Sequence, residues 1–294
     1  NQQTEQLSPL SSRPTYTETE NDLTVKANKR TFIFSKKDGQ LKGVSVDNRK
    51  ISFANGPRFI GARRADRSLD QFYNHDDEKA KEKDRTYSEF PDAAVFTKLD
   101  VKQDGGDLVV TANYKLGNLD KAQWTINPSG DLALDYTYNF SGVVDLMGIR
   151  FDYPEDQVIS KRWLGAGPYR VWQNRIHGTQ YDVWENDYND PIPGETFTYP
   201  EFKGYFGDVS WMNIQTKEGT ISLTNETPDA YIGVYQPRDG RDRLLYTLPE
   251  SGISVLNVVP PGRNKVNSTD LCGPSSQPKW VNGPQTGRVI FRFM

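Results

Sequence analysis

The chain has 294 residues, a net charge of -3 from 36 basic and 39 acidic side chains, and an aromatic content of 12%. Disordered chains are poor in aromatic residues, so most of this chain is expected to fold, as one large β domain or two smaller ones. The near balance of charge gives no electrostatic footprint for nucleic acid, and no stretch approaches the roughly 18 apolar residues of a membrane span.

The sequence offers little metal chemistry. Its single cysteine, Cys272, excludes an intrachain disulfide, and without a Cys/His cluster a structural zinc site is excluded as well. The Asn/Asp run at 186–190 supplies hard oxygen ligands for Ca²⁺, but it lacks the glycine and terminal glutamate of an EF-hand loop and is typical of turns. We therefore expect neither a metal nor a cofactor.

In chain order, residues 1–22 are rich in Gln, Ser, Thr and Pro and predict a flexible N-terminal linker. From Leu23 onward, short alternating or β-branched runs predict strands. These runs are 23–26, 31–34, 108–114, 132–138, 209–214 and 289–293. Glycine-containing turn signals occur at 37–39, 104–106, 128–130, 217–219 and 238–240. Because hairpins of short strands build antiparallel sheets and no segment keeps a helical period, the sequence predicts an all-β protein.

No break in composition divides residues 23–294, so we predict a single domain in which two sheets bury a common core. Charge and polarity rise over residues 61–92, which we interpret as a long insertion between strands.

The segment 163–188 is the richest in chemistry, with three tryptophans and three tyrosines among Arg, His, Asn, Asp and Glu side chains. Gly165, Gly167 and Pro168 predict that much of it is loop. Aromatic walls with a few placed polar groups are typical of binding sites, and sugars need that mixture. A single Trp is more often buried than exposed in a site, so both interpretations of the segment stay open.

We predict that a carbohydrate-binding cleft is lined by six residues of this segment. Aromatic rings would stack on a sugar, while Arg175 and Asp187 would bond to its hydroxyls, and His177 is the candidate for acid–base work. The second histidine, His75, lies in a polar stretch and is expected to be a surface residue. The six residues are Tyr169, Trp172, Arg175, His177, Trp184 and Asp187.

Several motifs in series carry a family likeness. The run 163–168, Trp-Leu-Gly-Ala-Gly-Pro, followed by Asn174-Arg175, resembles the Trp-x-Gly-x-Gly-Pro…Asp-Arg segment of the C-terminal, small-chain domain of family 2 glycoside hydrolases of the β-galactosidase type. The run 199–204, with Val209-Ser210-Trp211, is similar to that domain's Pro-x-Glu-x-Gly…Val-x-Trp stretch. Residues 34–41 and 56–59 resemble its opening hairpin and the stretch that follows.

This resemblance implies a galactose-mutarotase-like supersandwich of antiparallel sheets that serves as an accessory domain. In such enzymes the two catalytic carboxylates come from a separate barrel domain, so the expected partners are carbohydrate and that catalytic domain. A periplasmic or extracellular location follows from the resemblance alone. Two departures argue against a galactose-specific role: residues 62–68 differ from Arg-Ala-Pro-x-Asp-Asn-Asp, and residues 251–257 contain no Trp to set against the sugar.

Two other functions remain open from the sequence. Aldose epimerases and some polysaccharide lyases share the implied fold, so the chain is alternatively a self-sufficient epimerase or lyase that uses His177 with a nearby carboxylate. It is otherwise a purely structural domain whose aromatic residues all belong to the core.

Overall fold

The computed structural model describes residues 12–64, 87–189, 203–237, 248–262 and 274–294. In these ranges the chain forms two antiparallel sheets, which confirms the all-β prediction. The helical elements there are two short 3-10 helices, Glu155–Gln157 and Pro274–Ser276. No helix in these ranges is both long and apolar enough to cross a lipid bilayer.

The first sheet has ten strands in the described part of the chain. They are β1 (Thr15–Glu18), β2 (Asp22–Ala27), β3 (Arg30–Ser35), β4 (Leu41–Val46), β5 (Arg49–Ile51), β6 (Ala54–Arg64), β7 (Tyr87–Glu89), β12 (Leu146–Asp152), β17 (Tyr231–Gly233) and β18 (Ile253–Val258). Their order is β1-β2-β3-β4-β6-β12-β18-β17, with β5 beside β4 and β7 beside β6.

The second sheet has nine strands among the same residues. They are β8 (Val95–Asp104), β9 (Asp107–Lys115), β10 (Leu119–Ile126), β11 (Leu132–Val144), β13 (Val158–Gly167), β14 (Gln180–Asp187), β15 (Trp211–Thr216), β16 (Gly219–Asn225) and β19 (Lys279–Phe293). Their order is β14-β13-β15-β16-β19-β11-β10-β9-β8.

Two boundaries differ from the sequence prediction. Strand β1 lies inside the stretch 1–22 that we predicted as linker, and it pairs with β2 from Thr15↔Lys26 onward. Its alternation of threonines with Tyr16 suits a strand. The predicted insertion 61–92 is also too long, because its ends belong to β6 and β7 and pair at Ala62↔Glu89. Residues 1–11 and 65–86 and the turn signal at 238–240 lie outside the described residues.

The main core lies between the two sheets. Strand alternation sends every second side chain inward, and the inward residues are predominantly large and apolar. Phe53 stacks on Phe151 with ring centroids 4.6 Å apart, and it contacts Phe291 of the other sheet at 5.0 Å. Aromatic contacts therefore join the sheets at the end of β19.

A smaller second core covers the opposite face of the ten-stranded sheet. Strands β6, β12 and β18 bury side chains on both faces, because alternate residues point to different cores. The pairs are Phe59 and Ile60, Met147 and Leu146, and Val255 and Leu256, with the first of each in the main core. A segment that packs on this outer face has to bring its own apolar side chains.

One ion pair between β19 and the turn before β11 makes stability depend on pH. Arg292 donates from Nε and Nη2 to the two carboxylate oxygens of Asp131, at 2.6 and 2.7 Å. These hydrogen bonds lower the pKa of Asp131. A depressed carboxyl pKa stabilises the fold above about pH 4, and that contribution is lost as the pH falls through the folded-state pKa.

We therefore expect Asp131→Asn to reduce the free energy of unfolding at pH 7 by up to about 1 kcal/mol, since the pair is partly exposed. Urea unfolding at pH 7 and pH 3 measures this difference, which is expected to shrink at the lower pH. An equal loss at both values would show that the charge of Asp131 does not stabilise the fold.

Candidate functional site

The aromatic segment forms the β13–β14 hairpin at one edge of the nine-stranded sheet. The prediction that much of it is loop is confirmed for residues 168–179, which connect the two strands, but it was wrong at Gly165 and Gly167, through which β13 continues. A Cβ at Gly165 would lie 3.0 Å from the carbonyl oxygens of Gly207 and Asp208, and one at Gly167 would lie 2.5 Å from the indole nitrogen of Trp184. Because these two glycines have no side chain, the main chain at 207–208 and the Trp184 indole can pack directly against β13.

Two of the three tryptophans belong to the interior. Trp163 is fully buried in the main core, donates from its indole nitrogen to the Ala166 carbonyl oxygen at 3.1 Å, and packs edge-on against Phe206. Trp172 is fully buried in the second core, edge-on against Tyr205 with centroids 5.7 Å apart. The predicted role of Trp172 as a sugar platform does not fit this position, because its ring has no accessible face.

The loop that connects β13 to β14 exposes polar groups to solvent. Arg175 and His177 are exposed, and Tyr169 is half-buried. The Tyr169 hydroxyl donates to the His177 carbonyl oxygen at 3.0 Å. The next residue, Gly178, has a φ of +89°, which favours glycine. The imidazole of His177 forms no ion pair with a carboxylate in the described part of the chain.

The loop between β13 and β14 is fixed to the segment that follows β18. Asn174 donates from Nδ2 to the Gly262 carbonyl oxygen at 3.3 Å, and its Oδ1 accepts from the Gly262 amide at 2.6 Å. The main-chain amide of Gln173 donates to the Pro260 carbonyl oxygen at 3.0 Å. These bonds hold Arg175 and His177 on an anchored loop.

The remaining two predicted residues lie on β14. Trp184 is half-buried and donates from its indole nitrogen to the Gln180 carbonyl oxygen at 3.2 Å. Asp187 is exposed and pairs with Ser160 at the far end of the strand. Seven residues separate Asp187 from the start of the strand at Gln180, which is about 23 Å at the usual rise. The six predicted residues therefore do not form one cluster.

A buried pair of cations, which the sequence analysis missed, lies beneath this hairpin. The Arg170 guanidinium and the Lys161 ammonium lie 5.0 and 4.9 Å from the ring centroid of Tyr235. Arg170 donates to Asn189 Oδ1 at 2.6 Å, and Lys161 donates to the main-chain oxygen of Asp187 at 2.5 Å. Burial lowers the pKa of Arg170 to about 10, so it stays charged at neutral pH. Cation–π contact and hydrogen bonds offset part of the cost of burying these charges.

A concave site lies elsewhere, on the outer face of the nine-stranded sheet. It is an open pocket of about 380 Å³ between β10, β11, β19 and the turn after β16. Its lining is mostly polar and charged, and most of it comes from the outward residues of three neighbouring strands. The lining residues are Lys121, Gln123, Asp135, Tyr136, Thr137, Glu226, Pro228, Thr286, Gly287 and Arg288.

The charges in this pocket are arranged around Arg288. Its Nη1 donates to Asp135 at 2.5 Å, and its Nε lies 3.0 Å from Glu226 Oε2. The hydrogen bond with Asp135 and the nearby carboxylates raise the pKa of Arg288, so the guanidinium stays charged. With Lys121 at the rim, two cations and two anions line the pocket, which suits a neutral ligand rich in hydroxyl groups.

Comparison with solved structures places this fold among galactose mutarotase-like supersandwiches. The structure of galactose 1-epimerase from Lactobacillus acidophilus NCFM matches with a TM-score of 0.50 and 10% identity, over 97% of this chain and 99% of that chain. The GalM/aldose epimerase homologue from C. elegans matches with a TM-score of 0.45 and 8% identity, over 93% of this chain and 98% of that one. At such identities the likeness concerns the fold alone.

The family itself is shown by sequence. The model of the β-galactosidase small chain matches residues 26–259. The chain therefore belongs to the β-galactosidase small chain family, which confirms the resemblance carried by its motifs. No curated protein sequence matches it.

Proposed function

We propose that this chain is a non-catalytic accessory domain of a β-galactosidase-type glycoside hydrolase, which contacts carbohydrate and supports the substrate cleft of a separate catalytic domain. The observation that carries the proposal is the family match over residues 26–259. A periplasmic or extracellular location is part of the same proposal, because a polysaccharide-degrading enzyme works where its substrate is.

The geometry of the titratable groups supports a role without catalysis by this chain. A glycosidase needs one carboxyl group to act as an acid and a second to act as a nucleophile or base. The two carboxylates of the outer-face pocket are both tied to Arg288. Both carboxylate groups are therefore engaged in holding the Arg288 guanidinium.

The exposed end of the β13–β14 hairpin is the part of the predicted cleft that fits this role. Arg175 and His177 reach solvent from a loop anchored at Gly262, so they are available to a sugar or to a neighbouring domain. Tyr169 holds the turn that carries them. Trp172 supports the loop from below, inside the second core.

The test combines titration calorimetry of the chain with a panel of mono- and oligosaccharides, and glycosidase and mutarotase assays on the same sample. We expect saturable sugar binding without turnover. The His177→Ala variant should keep the stability of the wild type within about 0.5 kcal/mol, because the side chain is exposed. Turnover that His177→Ala abolishes would overturn the proposal in favour of a self-sufficient epimerase or lyase.

A further inference from the structure

The outer face of the β11–β19 ribbon carries an exposed tryptophan in line with the polar pocket. Trp280 is 71% exposed, the most exposed tryptophan or tyrosine in the described part of the chain. It pairs with Val143 across the ribbon, whose register continues without a shift from there to Leu132↔Phe291. Trp side chains are enriched at binding interfaces, where an apolar ring with one polar N–H group meets a partner.

The register places Trp280 and the pocket on one face. Cross-strand partners share a face and alternate residues change face, so even-numbered residues of β19 lie with odd-numbered residues of β11. The burial pattern agrees, since residues 280, 282, 284 and 286 are exposed and those between them are half-buried. Thr286, at the near edge of the pocket, is six residues from Trp280, which is about 20 Å.

Polar groups fill the distance between the two. Ser141 donates to Asn282 Oδ1 at 2.9 Å across the ribbon, and Asn139 and Pro284 form the next exposed pair. The exposed residues between the two ends therefore present mainly polar side chains to solvent. The face is therefore a track with an aromatic platform at one end and a pocket at the other.

Hydrogen bonds to β19 fix the wall of the pocket. The turn after β16 is held to β19 by two bonds to Thr227 Oγ1, which donates to the Arg288 carbonyl oxygen at 3.1 Å and accepts from the Arg288 amide at 2.9 Å. The Glu226 amide donates to the same carbonyl oxygen at 3.0 Å. A site fixed in this way loses little conformational entropy on binding.

We propose that this track, from Trp280 to the Arg288 pocket, binds a neutral oligosaccharide chain of several units; the inference rests on the proposed function and adds where and how a glycan binds. The indole of Trp280 stacks on the C–H face of one sugar ring. At the other end the carboxylates of Asp135 and Glu226 accept hydrogen bonds from sugar hydroxyls, and Arg288 donates to a ring or hydroxyl oxygen. The balanced charge disfavours an anionic glycan.

Calorimetric titration of the 294-residue chain tests this with neutral galacto-, gluco-, xylo- and manno-oligosaccharides of two to six units, and with oligogalacturonides as the anionic comparison. Affinity is expected to rise with chain length for at least one neutral series and to exceed that for the matching oligogalacturonide. Trp280→Ala should weaken the longest oligomers about tenfold and leave the disaccharide unchanged, because a short ligand occupies only the pocket. Asp135→Asn should weaken every length.

Tyr16→Ala is the matched control, since Tyr16 is an exposed aromatic residue on the other sheet, and it should leave all affinities unchanged. Binding that is insensitive to Trp280→Ala and Asp135→Asn, or no saturable binding at all, would overturn the inference. Binding lost instead in Arg175→Ala or His177→Ala would overturn it while the proposed function stands. Turnover would contradict the proposed function. The Trp280→Ala and Asp135→Asn variants would still decide whether the glycan binds along this track.

Discussion

Replacement of Trp172 by alanine is expected to lower the free energy of unfolding by about 3–5 kcal/mol, because it removes a fully buried indole from the second core. The cavity would lie beside Tyr205 and beneath the β13–β14 loop. Little can collapse into it, since Asn174 and Gln173 fix that loop to the segment 260–262. Denaturant unfolding followed by circular dichroism measures the loss.

Trp280→Ala makes the same chemical change at an exposed site and is the control for this prediction. Its effect on stability is expected to stay within about 0.5 kcal/mol. Should Trp172→Ala cost less than 1 kcal/mol while abolishing sugar binding, the indole would be a ligand platform after all. The two variants together therefore separate a tryptophan that holds the fold from one that is free to contact a glycan.

Strand pattern and turn chemistry predicted the architecture well. The alternating runs at 23–26 and 31–34 lie in β2 and β3, and those at 108–114 and 132–138 lie in β9 and β11. Hairpin register follows from the turn and from which face is buried, so both signals are local. The boundary that failed at 61–64 concerns the end of β6, whose partner β7 begins more than twenty residues later. The one that failed at 15–18 concerns a short strand whose four side chains are all exposed, so it shows no buried face in the sequence.

The candidate site was harder to predict, because residues that are close in sequence need not be close in space. A strand turns alternate side chains to opposite faces and moves each residue about 3.3 Å along, so Asp187 and His177 end up far apart. Composition alone gave no sign that Trp172 packs against a second core, since that core assembles from β6, β12 and β18. The paired cations on Tyr235 also depend on a residue that is distant in sequence, in the segment that follows β17.

The residues of the outer-face pocket carry no motif. Asp135 and Arg288 lie in strands whose residues alternate between polar and apolar, which is typical of any half-exposed sheet. Glu226 lies in an ordinary turn. Only the pairing of β11 with β19 brings Asp135 and Arg288 together. A prediction of this pocket needed the register of two strands that are more than a hundred residues apart in the chain.

Gly204 offers the sharpest test of how the hairpin loop is built. It belongs to the 199–204 motif that resembles the β-galactosidase small chain, and its φ is not in the left-handed region. The requirement is space: an added Cβ would overlap the Val171 carbonyl oxygen and lie 2.7 Å from its carbonyl carbon. The two main chains are joined there by hydrogen bonds between Val171 and Tyr205 of 2.7 and 2.8 Å in both directions.

We therefore expect Gly204→Ala to lower the free energy of unfolding by about 1–3 kcal/mol, since main-chain atoms cannot rotate away as a side chain can. The same Cβ would lie 3.1 Å from the Trp172 ring, so near-ultraviolet circular dichroism should change along with the unfolding midpoint. Gly43→Ala is the matched control: nothing lies within 4 Å of its added Cβ, and alanine there should be neutral or stabilising by up to about 1 kcal/mol. Equal stability of the two variants would mean that the Val171–Tyr205 contact does not hold the loop against the second core.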